Sequence, residues 1–385
     1  MQQNFTAMNK NINPFVVSGK IPPEYFCDRI EESKQLEKSL CNQMNVVLTS
    51  ARRMGKTSLV DFVFDKPEIS DNYITISIDI LHTTTFREFI LALGTAVFDS
   101  VATRSEKWRK QFVSFLKSLS ASFGYDPASN LPTFDIKIGD VQQPEYTLKE
   151  IFKYLETIDK RCLIVIDEFQ QITRYPEKNV EALLRTHIQK LTNSNFVFSG
   201  SQRRLMEEMF FSLKRPFYQS AKSIRLEPIA KDIYFDFALK NFRKAGKKID
   251  EDAFSYIYDT FQGVTLYIQR ILKDTYIETP KGETCDVKTA KRLIEEYIEE
   301  NDSRLREQLA FITEAQKELL YAIHEARQAT GITSMAFTKK YRLRSPSSSQ
   351  SAAIKLMEYD MITRKEKYYS ISDPLMSLWL DRRKV

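Results

Sequence analysis

A strand-like run, MNVVLTS (44–50), is followed directly by the segment ARRMGKTSLVDFVF. A loop between a strand and a helix can aim successive backbone N–H groups at phosphate oxygens, and the start of the helix adds partial positive charge. In such a loop the ammonium group of Lys56 would reach the β and γ phosphates of a nucleotide, and the hydroxyl of Thr57 would hold Mg²⁺. The usual pattern is GxxxxGK followed by Ser or Thr, and Ser50 stands where that pattern has its first glycine. The predicted contact residues of the loop are Ser50, Ala51, Arg52, Arg53, Met54, Gly55, Lys56, Thr57 and Ser58.

Two acidic residues at the end of another apolar run decide between this interpretation and a chance GKT at the start of a helix. The run RCLIVID ends in Asp167, and Glu168 follows it. Because ligands of open α/β sheets bind at the carboxyl ends of the strands, we expect Asp167 beside the loop. Asp167 would then hold Mg²⁺ through its water shell, and Glu168 would polarise the attacking water, with Lys56 as the second catalytic residue. An acidic pair in a solvated turn is the alternative, but it would seldom accompany a correctly placed GKT.

A third polar position follows the run NSNFVFSG. We expect this strand between the loop strand and the acidic strand, so that a side chain at its end can sense the γ phosphate. Ser199 and Ser201 are the candidates, and Ser201 is the predicted contact residue. The alternative is that both are ordinary serines in a turn around Gly200.

These positions require a sheet that brings strand ends together, and short apolar runs alternate with longer amphipathic segments from residue 44 to about residue 226. The pattern predicts a parallel sheet flanked by helices. The stretch 123–147 holds three of the thirteen prolines and predicts a loop or hairpin insertion. The predicted strands are 44–49, 73–80, 162–167, 196–200 and 223–226.

Composition limits the class of protein. Hydrophobic residues make up 42% of the 385, which excludes general disorder and predicts two or three domains. Only ten glycines argue against a turn-dense all-β fold, and the net charge of +6 is compatible with a nucleic-acid partner without requiring one. Four cysteines without a CxxC pair and three histidines argue against a zinc site or disulfides. No apolar run is long enough to span a bilayer, so we expect a cytoplasmic protein with no cleaved leader and no membrane association.

The sequence pattern changes after Pro228. Residues 230–308 read as nearly continuous amphipathic helix with one turn at 262–265, which predicts a helical domain. The last eighty residues contain short helices followed by a charged segment, MITRKEKYYSIS, that predicts a hairpin, and this order is typical of a winged helix-turn-helix. The predicted domains are a core at 1–228 with an insertion at about 100–147, a helical lid at 229–305 and a winged helix at 306–385.

With these motifs in place, the sequence resembles the archaeal-type P-loop ATPases, a prokaryotic branch close to the AAA+ and STAND nucleotide switches. The loop is similar to the family's RRxGKTSL, and the ending SDPLMSLWL (372–380) is similar to DPLxxxWL. YFCDRIEESKQLEKSL resembles FxxREEEL, which implies that Arg29 lies close to the nucleotide. GVTLYIQR resembles GxPxYIQ, with Thr265 in place of the proline, and implies nucleotide contacts by Gly263 and Gln269.

The resemblance leaves the source of an arginine finger open. Gln219 and Ser220 replace the Gly-Arg pair of the family's PLYGR segment, and Lys214 and Arg215 are either substitutes or a solvated basic pair. No arginine stands beside Gly263, where the AAA+ lid usually supplies one. The resemblance therefore implies slow hydrolysis, which suits a switch better than a fast motor.

The charged C-terminal region allows two functions. Lys340, Arg342, Arg344 and Lys355 could neutralise the backbone of duplex DNA. The alternative is a STAND-like signalling or scaffold ATPase whose winged helix recruits a protein partner, and a homo-oligomer is also open.

The prediction is therefore an α/β protein with a P-loop NTPase (AAA+/STAND-like) parallel sheet core, a helical lid domain and a C-terminal winged helix-turn-helix. Its predicted cofactors are ATP and Mg²⁺, with ATP favoured over GTP because no NKxD motif follows the fourth strand. We expect a slow, nucleotide-driven switch that is coupled to DNA.

Overall fold

The computed structural model describes residues 13–102, 104–116, 122–125, 132–135 and 141–383. Contacts divide the chain into two units, Lys20–Glu227 and a second in which residues 13–19 join Pro228 and the residues after it. Among the described residues, no helix is both long enough and apolar enough to cross a membrane.

The first unit is built on one parallel sheet of five strands. The strands of this unit are β1 (Val46–Thr49), β2 (Tyr73–Asp79), β3 (Ser122–Tyr125), β4 (Pro132–Asp135), β5 (Arg161–Asp167), β6 (Ser194–Gly200) and β7 (Lys222–Arg225). The sheet order is β2-β5-β6-β1-β7, and β3 pairs with β4 in antiparallel orientation. Because β6 pairs with both β1 and β5, the expected position of this strand between the loop strand and the acidic strand is confirmed.

Both faces of the sheet are buried, which explains the continuous apolar runs. In β5, Ile164 and Ile166 join one apolar cluster, whereas Leu163 and Val165 join the cluster on the opposite face. Helices cover both faces. They are α1 (Ile30–Cys41), α2 (Lys56–Phe64), α3 (Pro67–Ser70), α4 (Phe86–Ala102), α5 (Glu106–Phe115), α6 (Pro144–Leu155), α7 (Val180–Ile188) and α8 (Arg203–Phe211).

The predicted insertion, about 100–147, includes α5 and the β3–β4 pair. Parts of it, 117–121, 126–131 and 136–140, lie outside the described residues, as does residue 103. The exact limits of the insertion stay a prediction.

The second unit begins with helices over the predicted lid. They are α9 (Lys231–Lys244), α10 (Glu251–Thr260), α11 (Thr265–Glu278), α12 (Val287–Glu300) and α13 (Asp302–Ala310). The prediction of a single turn in this region missed two breaks, where β8 (Lys248–Ile249) and β9 (Thr284–Cys285) pair in parallel. One break follows from Pro280, which has no N–H to continue the ladder of α11.

A segment from before the first unit completes the core of the lid. Phe15 is fully buried, and its ring centroid lies 6.0, 5.7 and 5.8 Å from those of Phe237, Phe242 and Tyr276. The side-chain amide of Asn13 donates to the carbonyl of Lys273 at 3.1 Å. Residues 13–19 therefore pack with the lid helices, although the sequence placed them with the core; the three domain boundaries themselves stay predictions.

The C-terminal part of the second unit has the helix and hairpin order of a winged helix. Its elements are α14 (Glu314–Ala326), α15 (Met335–Lys340), α16 (Pro346–Glu358), β10 (Ile362–Lys365), β11 (Tyr368–Ile371) and α17 (Pro374–Arg383). The two strands pair in antiparallel register, from Ile362 opposite Ile371 to Lys365 opposite Tyr368. The predicted α/β fold with a helical region and a winged helix is therefore confirmed.

Candidate nucleotide-binding site

The loop between β1 and α2 has the backbone that phosphate binding requires. Gly55 precedes the first residue of α2 and has φ 86°, a left-handed conformation that glycine adopts without strain. Chain neighbours aside, no heavy atom of the described residues lies within 4 Å of where a Cβ of Gly55 would stand. The helix start is therefore open to a ligand, and the N–H groups of its first turn have no partner within the helix.

Ser50 contacts the lysine of the loop. The Lys56 ammonium group donates to Ser50 Oγ at 3.3 Å, and both residues are buried, with exposed fractions of 7% and 1%. The hydroxyl of Ser50 donates in turn to the Ala51 carbonyl at 2.6 Å. A glycine, which the usual pattern has here, offers no such hydroxyl, so the serine gives Lys56 an acceptor.

The ends of β5 and of the loop meet as the sequence predicts. Thr57 Oγ1 donates to Asp167 Oδ2 at 3.0 Å. Hydroxyl and carboxylate oxygens are the ligand types that Mg²⁺ prefers. Since this donor set fits the metal, Thr57 and Asp167 are the residues that would hold it. Asp79 at the end of β2 is the register partner of Asp167 and brings a further carboxylate to this edge.

Glu168 is held by two side chains from neighbouring segments. Its Oε2 accepts from Ser201 Oγ at 2.7 Å and from Gln170 Nε2 at 2.5 Å. Its backbone has φ 54°, which is uncommon for a glutamate, and its N–H donates to Asp167 Oδ1 at 3.0 Å. The side chain expected to polarise water is thus engaged by hydrogen-bond donors. Sequence reasoning missed Gln170, and only its place two residues after Glu168 could have suggested it.

The other serine candidate, Ser199, is 1% exposed, and its hydroxyl has no hydrogen-bond partner among the described residues. Ser201 is the one that reaches the acidic pair, through its contact with Glu168. The proposed γ-phosphate sensing by Ser201 stays a prediction.

Another acidic side chain lies beside the pair. Asp61, one turn after Thr57 on α2, has a pKa raised above its ordinary value of 3.8. Burial is the main cause, and the negative charges of Asp65 and Asp167 add to it, whereas Lys20 opposes them. Negative charge is therefore concentrated where a divalent cation would bind.

Arg29 reaches the loop but contacts its backbone. It is 5% exposed, and its guanidinium group donates to the carbonyl of Met54 at 3.4 Å and to the carbonyl of Glu227 at 2.7 Å. Glu32 completes the set with an ion pair of 3.0 Å. Arg29 therefore joins the loop between β1 and α2 to the last residue of the first unit, and its predicted nucleotide contact stays a prediction.

Gly263 and Gln269 belong to the second unit, and their predicted nucleotide contacts stay predictions. Gly263 has φ 76°, a left-handed conformation that favours glycine. A Cβ there would also stand 2.6 Å from Pro228 Cβ, so both the backbone conformation and the packing require glycine. Gln269 is 7% exposed, and its Oε1 has no partner among the described residues.

Arg215, a candidate finger, and Arg270, which lies two turns after Gly263, are both engaged in ion pairs. Arg215 pairs with Glu181 at 3.1 Å and with Glu208 at 3.5 Å. Arg270 pairs with Asp274 at 2.8 Å and with Glu300 at 3.1 Å. Both interpretations of Arg215 from the sequence, finger and solvated residue, therefore overlook its structural ion pairs.

In the winged helix, cationic side chains lie around the start of α16 and on the hairpin. Lys340, Arg342 and Arg344 are exposed before the helix, whose cap residue Ser345 accepts from the N–H of Ser348 at 3.1 Å. Lys355, which was predicted to contact DNA, pairs with Glu358 at 2.7 Å, and its DNA contact stays a prediction. On the hairpin the exposed cations are Arg364, Lys365 and Lys367.

This strand order, with a GKT loop between β1 and α2 and an acidic pair at the end of β5, is typical of the fold of the P-loop ATPases. A family model described as a probable winged helix domain matches residues 304–382. No curated protein sequence matches the chain.

Solved structures with the same fold extend over nearly the whole chain. The Walker-type ATPase of Pyrococcus abyssi is 19% identical, covers 96% of this chain and 99% of its own, and gives a TM-score of 0.66. The ORC2 protein of Aeropyrum pernix, solved in ADPNP and ADP complexes, is 12% identical with a TM-score of 0.57, over 97% and 99% of the two chains. The ORC1 protein of Aeropyrum pernix in complex with DNA is 13% identical with a TM-score of 0.52, over 97% of each chain. The resemblance to prokaryotic P-loop ATPases with a winged helix is therefore confirmed at the level of the fold.

Proposed function

We propose that the chain binds ATP with Mg²⁺, hydrolyses it slowly, and uses the nucleotide to switch between conformations that differ in DNA binding. The observation that carries the proposal is the convergence of Lys56, Thr57, Asp167 and Glu168 at one edge of the sheet. These side chains supply the groups that phosphoryl transfer uses, which are a cation for the phosphates, oxygen ligands for the metal and a carboxylate for the attacking water.

Each side chain has a distinct task in this proposal. Bound Mg²⁺ would supply positive charge that neutralises the phosphates. Lys56 binds phosphate oxygens by charge-assisted hydrogen bonds, for which it gives up its contact with Ser50. Glu168 orients water and takes its proton, which requires that the carboxylate be released from Ser201 and Gln170.

Slow hydrolysis is supported by the hydrogen bonds and ion pairs that already engage the side chains needed for the reaction. Glu168 is engaged by two donors, at 2.5 and 2.7 Å, and cannot bind water through the same oxygen as readily. Arg215 and Arg270, which could otherwise stabilise a transition state, are likewise engaged by carboxylates. An additional event, such as partner binding or oligomer formation, would have to free or supply these groups.

DNA is the proposed partner because the start of α16 carries exposed cations without carboxylate partners among the described residues. Lys340 stands over the Tyr341 ring at 4.8 Å, and Arg342 and Arg344 follow it. Side chains at the start of such a helix, together with a cationic hairpin, can contact phosphates on two sides of a groove. A solved structure of the same fold is described as a complex with DNA.

A protein partner is the second candidate, and one feature favours it. Phe311 is 73% exposed and forms an edge contact with Tyr359, which is 40% exposed, with ring centroids 5.2 Å apart. Ile354 on α16 is also 48% exposed. Exposed aromatic and aliphatic side chains of this size are typical of protein interfaces.

The deciding experiment titrates the wild-type chain and the Glu168→Gln variant with ATP, ADP and GTP in the presence of Mg²⁺, and records duplex DNA binding and oligomeric state at each concentration. We expect micromolar ATP binding in both proteins, turnover only in the wild type, and DNA affinity that differs between the ATP and ADP states. If ATP changes neither DNA binding nor oligomeric state in either protein, the proposed nucleotide switch is wrong. If ATP binds but duplex DNA does not at any salt concentration, the protein-partner function replaces the DNA function.

A further inference from the structure

Two motifs that the sequence places more than one hundred residues apart meet inside the second unit. The hydroxyl of Tyr267, in the GVTLYIQR segment on α11, donates to Asp373 Oδ1 at 2.7 Å. Asp373 belongs to the C-terminal motif SDPLMSLWL and directly precedes α17. The contact therefore joins the lid helix that follows Gly263 to the last helix of the winged helix.

Both partners of this hydrogen bond are fixed by their surroundings. Tyr267 is 1% exposed, and its ring packs against those of Phe261 and Tyr297 at centroid distances of 5.1 and 6.1 Å. Asp373 Oδ1 also accepts from the N–H of Leu375 at 3.0 Å, which orients the carboxylate at the start of α17. A hydrogen bond between a buried hydroxyl and a carboxylate is short, directional and stronger than one between neutral groups.

Further along α17, other side chains bind the lid. Trp379 is 2% exposed, and its indole N–H donates to Asp302 Oδ1 at 2.8 Å. Arg382 forms ion pairs with Glu295 and with Glu299 on α12, the latter at 3.6 Å. The helix is thus attached to the lid at its beginning, its middle and its end.

The opposite side of α17 binds the body of the winged helix. Asp381 pairs with His324 Nε2 at 3.1 Å and with Arg327, both from the end of α14. Ser377 Oγ lies 3.3 Å from His324 Nδ1. One helix therefore contacts the lid on one side and the first helix of the winged helix on the other.

We propose that α17 transmits the nucleotide state from the lid to the winged helix, with Tyr267 and Asp373 as the positioning residues of this connection. The inference rests on the proposed function, because it requires that α11 respond to bound nucleotide. A winged helix on a loose linker would not follow a movement of α11, whereas one attached through a buried hydrogen bond moves with it. The C-terminal motif is then a coupling element and does not itself contact DNA.

The test is hydrogen–deuterium exchange of the full chain with and without a saturating non-hydrolysable ATP analogue and Mg²⁺. It compares the wild type with Tyr267→Phe, which removes one hydroxyl and keeps the ring. Tyr234→Phe is the matched control, because the hydroxyl of Tyr234 donates within the lid, to the Thr265 carbonyl at 3.4 Å. Asp373→Asn is a second variant that keeps Oδ1 as an acceptor for Tyr267 and Leu375 and removes its negative charge.

We expect nucleotide to change exchange in α14 and α16 of the wild type and of the control. In Tyr267→Phe the same change should be about 10- to 100-fold smaller, the size of one charge-assisted hydrogen bond, and in Asp373→Asn, where a neutral acceptor remains, the reduction should be smaller. Exchange without nucleotide and nucleotide occupancy, which are measured for every variant, should match the wild type. A purely structural role would instead alter exchange in the absence of nucleotide.

Two results overturn the inference while leaving the proposed function intact. One is a Tyr267→Phe variant whose winged helix responds to nucleotide as fully as the wild type. The other is a wild type in which bound nucleotide changes exchange only before residue 311. A wild type that binds no nucleotide overturns the proposed function and this inference together, and the occupancy measurement identifies that case.

Discussion

The hydroxyl of Thr57 donates to Asp167 Oδ2 at 3.0 Å, although the two residues stand 110 positions apart in the sequence. The contact forms because the parallel sheet places the carboxyl ends of β1 and β5 on the same edge, with only β6 between them. A hydroxyl and a carboxylate are the oxygen donors that the proposed Mg²⁺ site requires. Their contact follows from the order of the strands in the sheet.

Replacement of Lys56 tests the phosphate-binding loop. Lys56→Ala removes the charged donor expected to bind phosphate, and a charge-assisted hydrogen bond contributes about 1.5–3 kcal/mol. We expect ATP affinity to fall by about 10- to 100-fold, as measured by calorimetric titration. Lys66→Ala, two residues beyond α2 and paired with Glu37 at 2.6 Å, is the control and should bind ATP as the wild type does. Equal affinities for all three proteins would contradict the assignment.

The contacts of Glu168 predict a variant with higher basal activity. Gln170→Met removes the donor at 2.5 Å while it roughly keeps the volume of the side chain. If Glu168 must leave its donors to bind water, turnover should rise by about three- to tenfold in a steady-state ATPase assay. Glu168→Gln is the reference, for which we expect a loss of about 10²–10⁴-fold in turnover with ATP affinity retained. Lower turnover in Gln170→Met would show that the contact orients Glu168 for catalysis and does not restrain it.

The sheet was predictable from the sequence because strands buried on both faces give uninterrupted apolar runs. The five predicted runs agree with β1, β2, β5, β6 and β7 to within two residues at either end. The phosphate-binding loop and the acidic pair were predictable for a related reason: their chemistry depends on residues close in sequence, and the sheet then brings them together.

Side-chain contacts across the fold were not predictable in the same way. Tyr267 acts through a partner on another element and Gln170 through a carboxylate two residues away, and neither residue type signals such a role by itself. The ion pairs of Arg215 also escaped prediction, since basic residues in sequence look alike whether they face water or a buried carboxylate such as Glu181. The break before β9 was visible as a proline and a glycine in sequence, but amphipathic periodicity on both sides concealed it.

Arg29 provides a test that separates positioning from direct nucleotide contact. A lysine cannot donate to the carbonyls of both Met54 and Glu227, because it lacks the planar fork of arginine. We expect Arg29→Lys to lower the free energy of unfolding of the first unit by about 2–4 kcal/mol, as measured by denaturant unfolding without nucleotide.

Lys34→Ala, on the helix that Arg29 directly precedes, is the control for Arg29→Lys. The Lys34 side chain is 65% exposed and pairs only at the surface with Glu31, so its loss should cost less than about 1 kcal/mol. If Arg29→Lys unfolds as the wild type does but binds ATP more weakly, the guanidinium group contacts nucleotide directly, as the family resemblance implies.

The proposed DNA contact of the winged helix predicts how the affinity for duplex DNA depends on salt concentration. Each lost phosphate contact should reduce the slope of log affinity against log salt by about 0.9. The double variant Arg342→Ala/Arg344→Ala should therefore lose about two units of slope in a duplex-binding titration at several salt concentrations. Lys355→Ala should change the slope less, because Lys355 is paired with Glu358. A slope that is the same in every variant would place the DNA-binding surface elsewhere or remove it.

Asp61 predicts how stability near the site depends on pH. Its pKa in the folded chain is raised from 3.8, mainly by burial and then by neighbouring carboxylates, so the folded state disfavours its charged form. Below the unfolded pKa the group is protonated in both states and costs nothing; between the unfolded and the folded pKa the penalty grows, and above the folded pKa it is complete. Asp61→Asn should therefore raise the melting temperature at neutral pH by about 1–3 °C, a small effect because the group is only half buried. The gain should vanish at about pH 3, where the wild-type carboxyl is neutral.

Thermal unfolding of wild type and Asp61→Asn at neutral pH and at about pH 3 measures the difference. Asp71→Asn, at the exposed end of α3, is the control. A gain that persists in acid would mean that the asparagine packs better, and the charge of Asp61 would then carry no penalty.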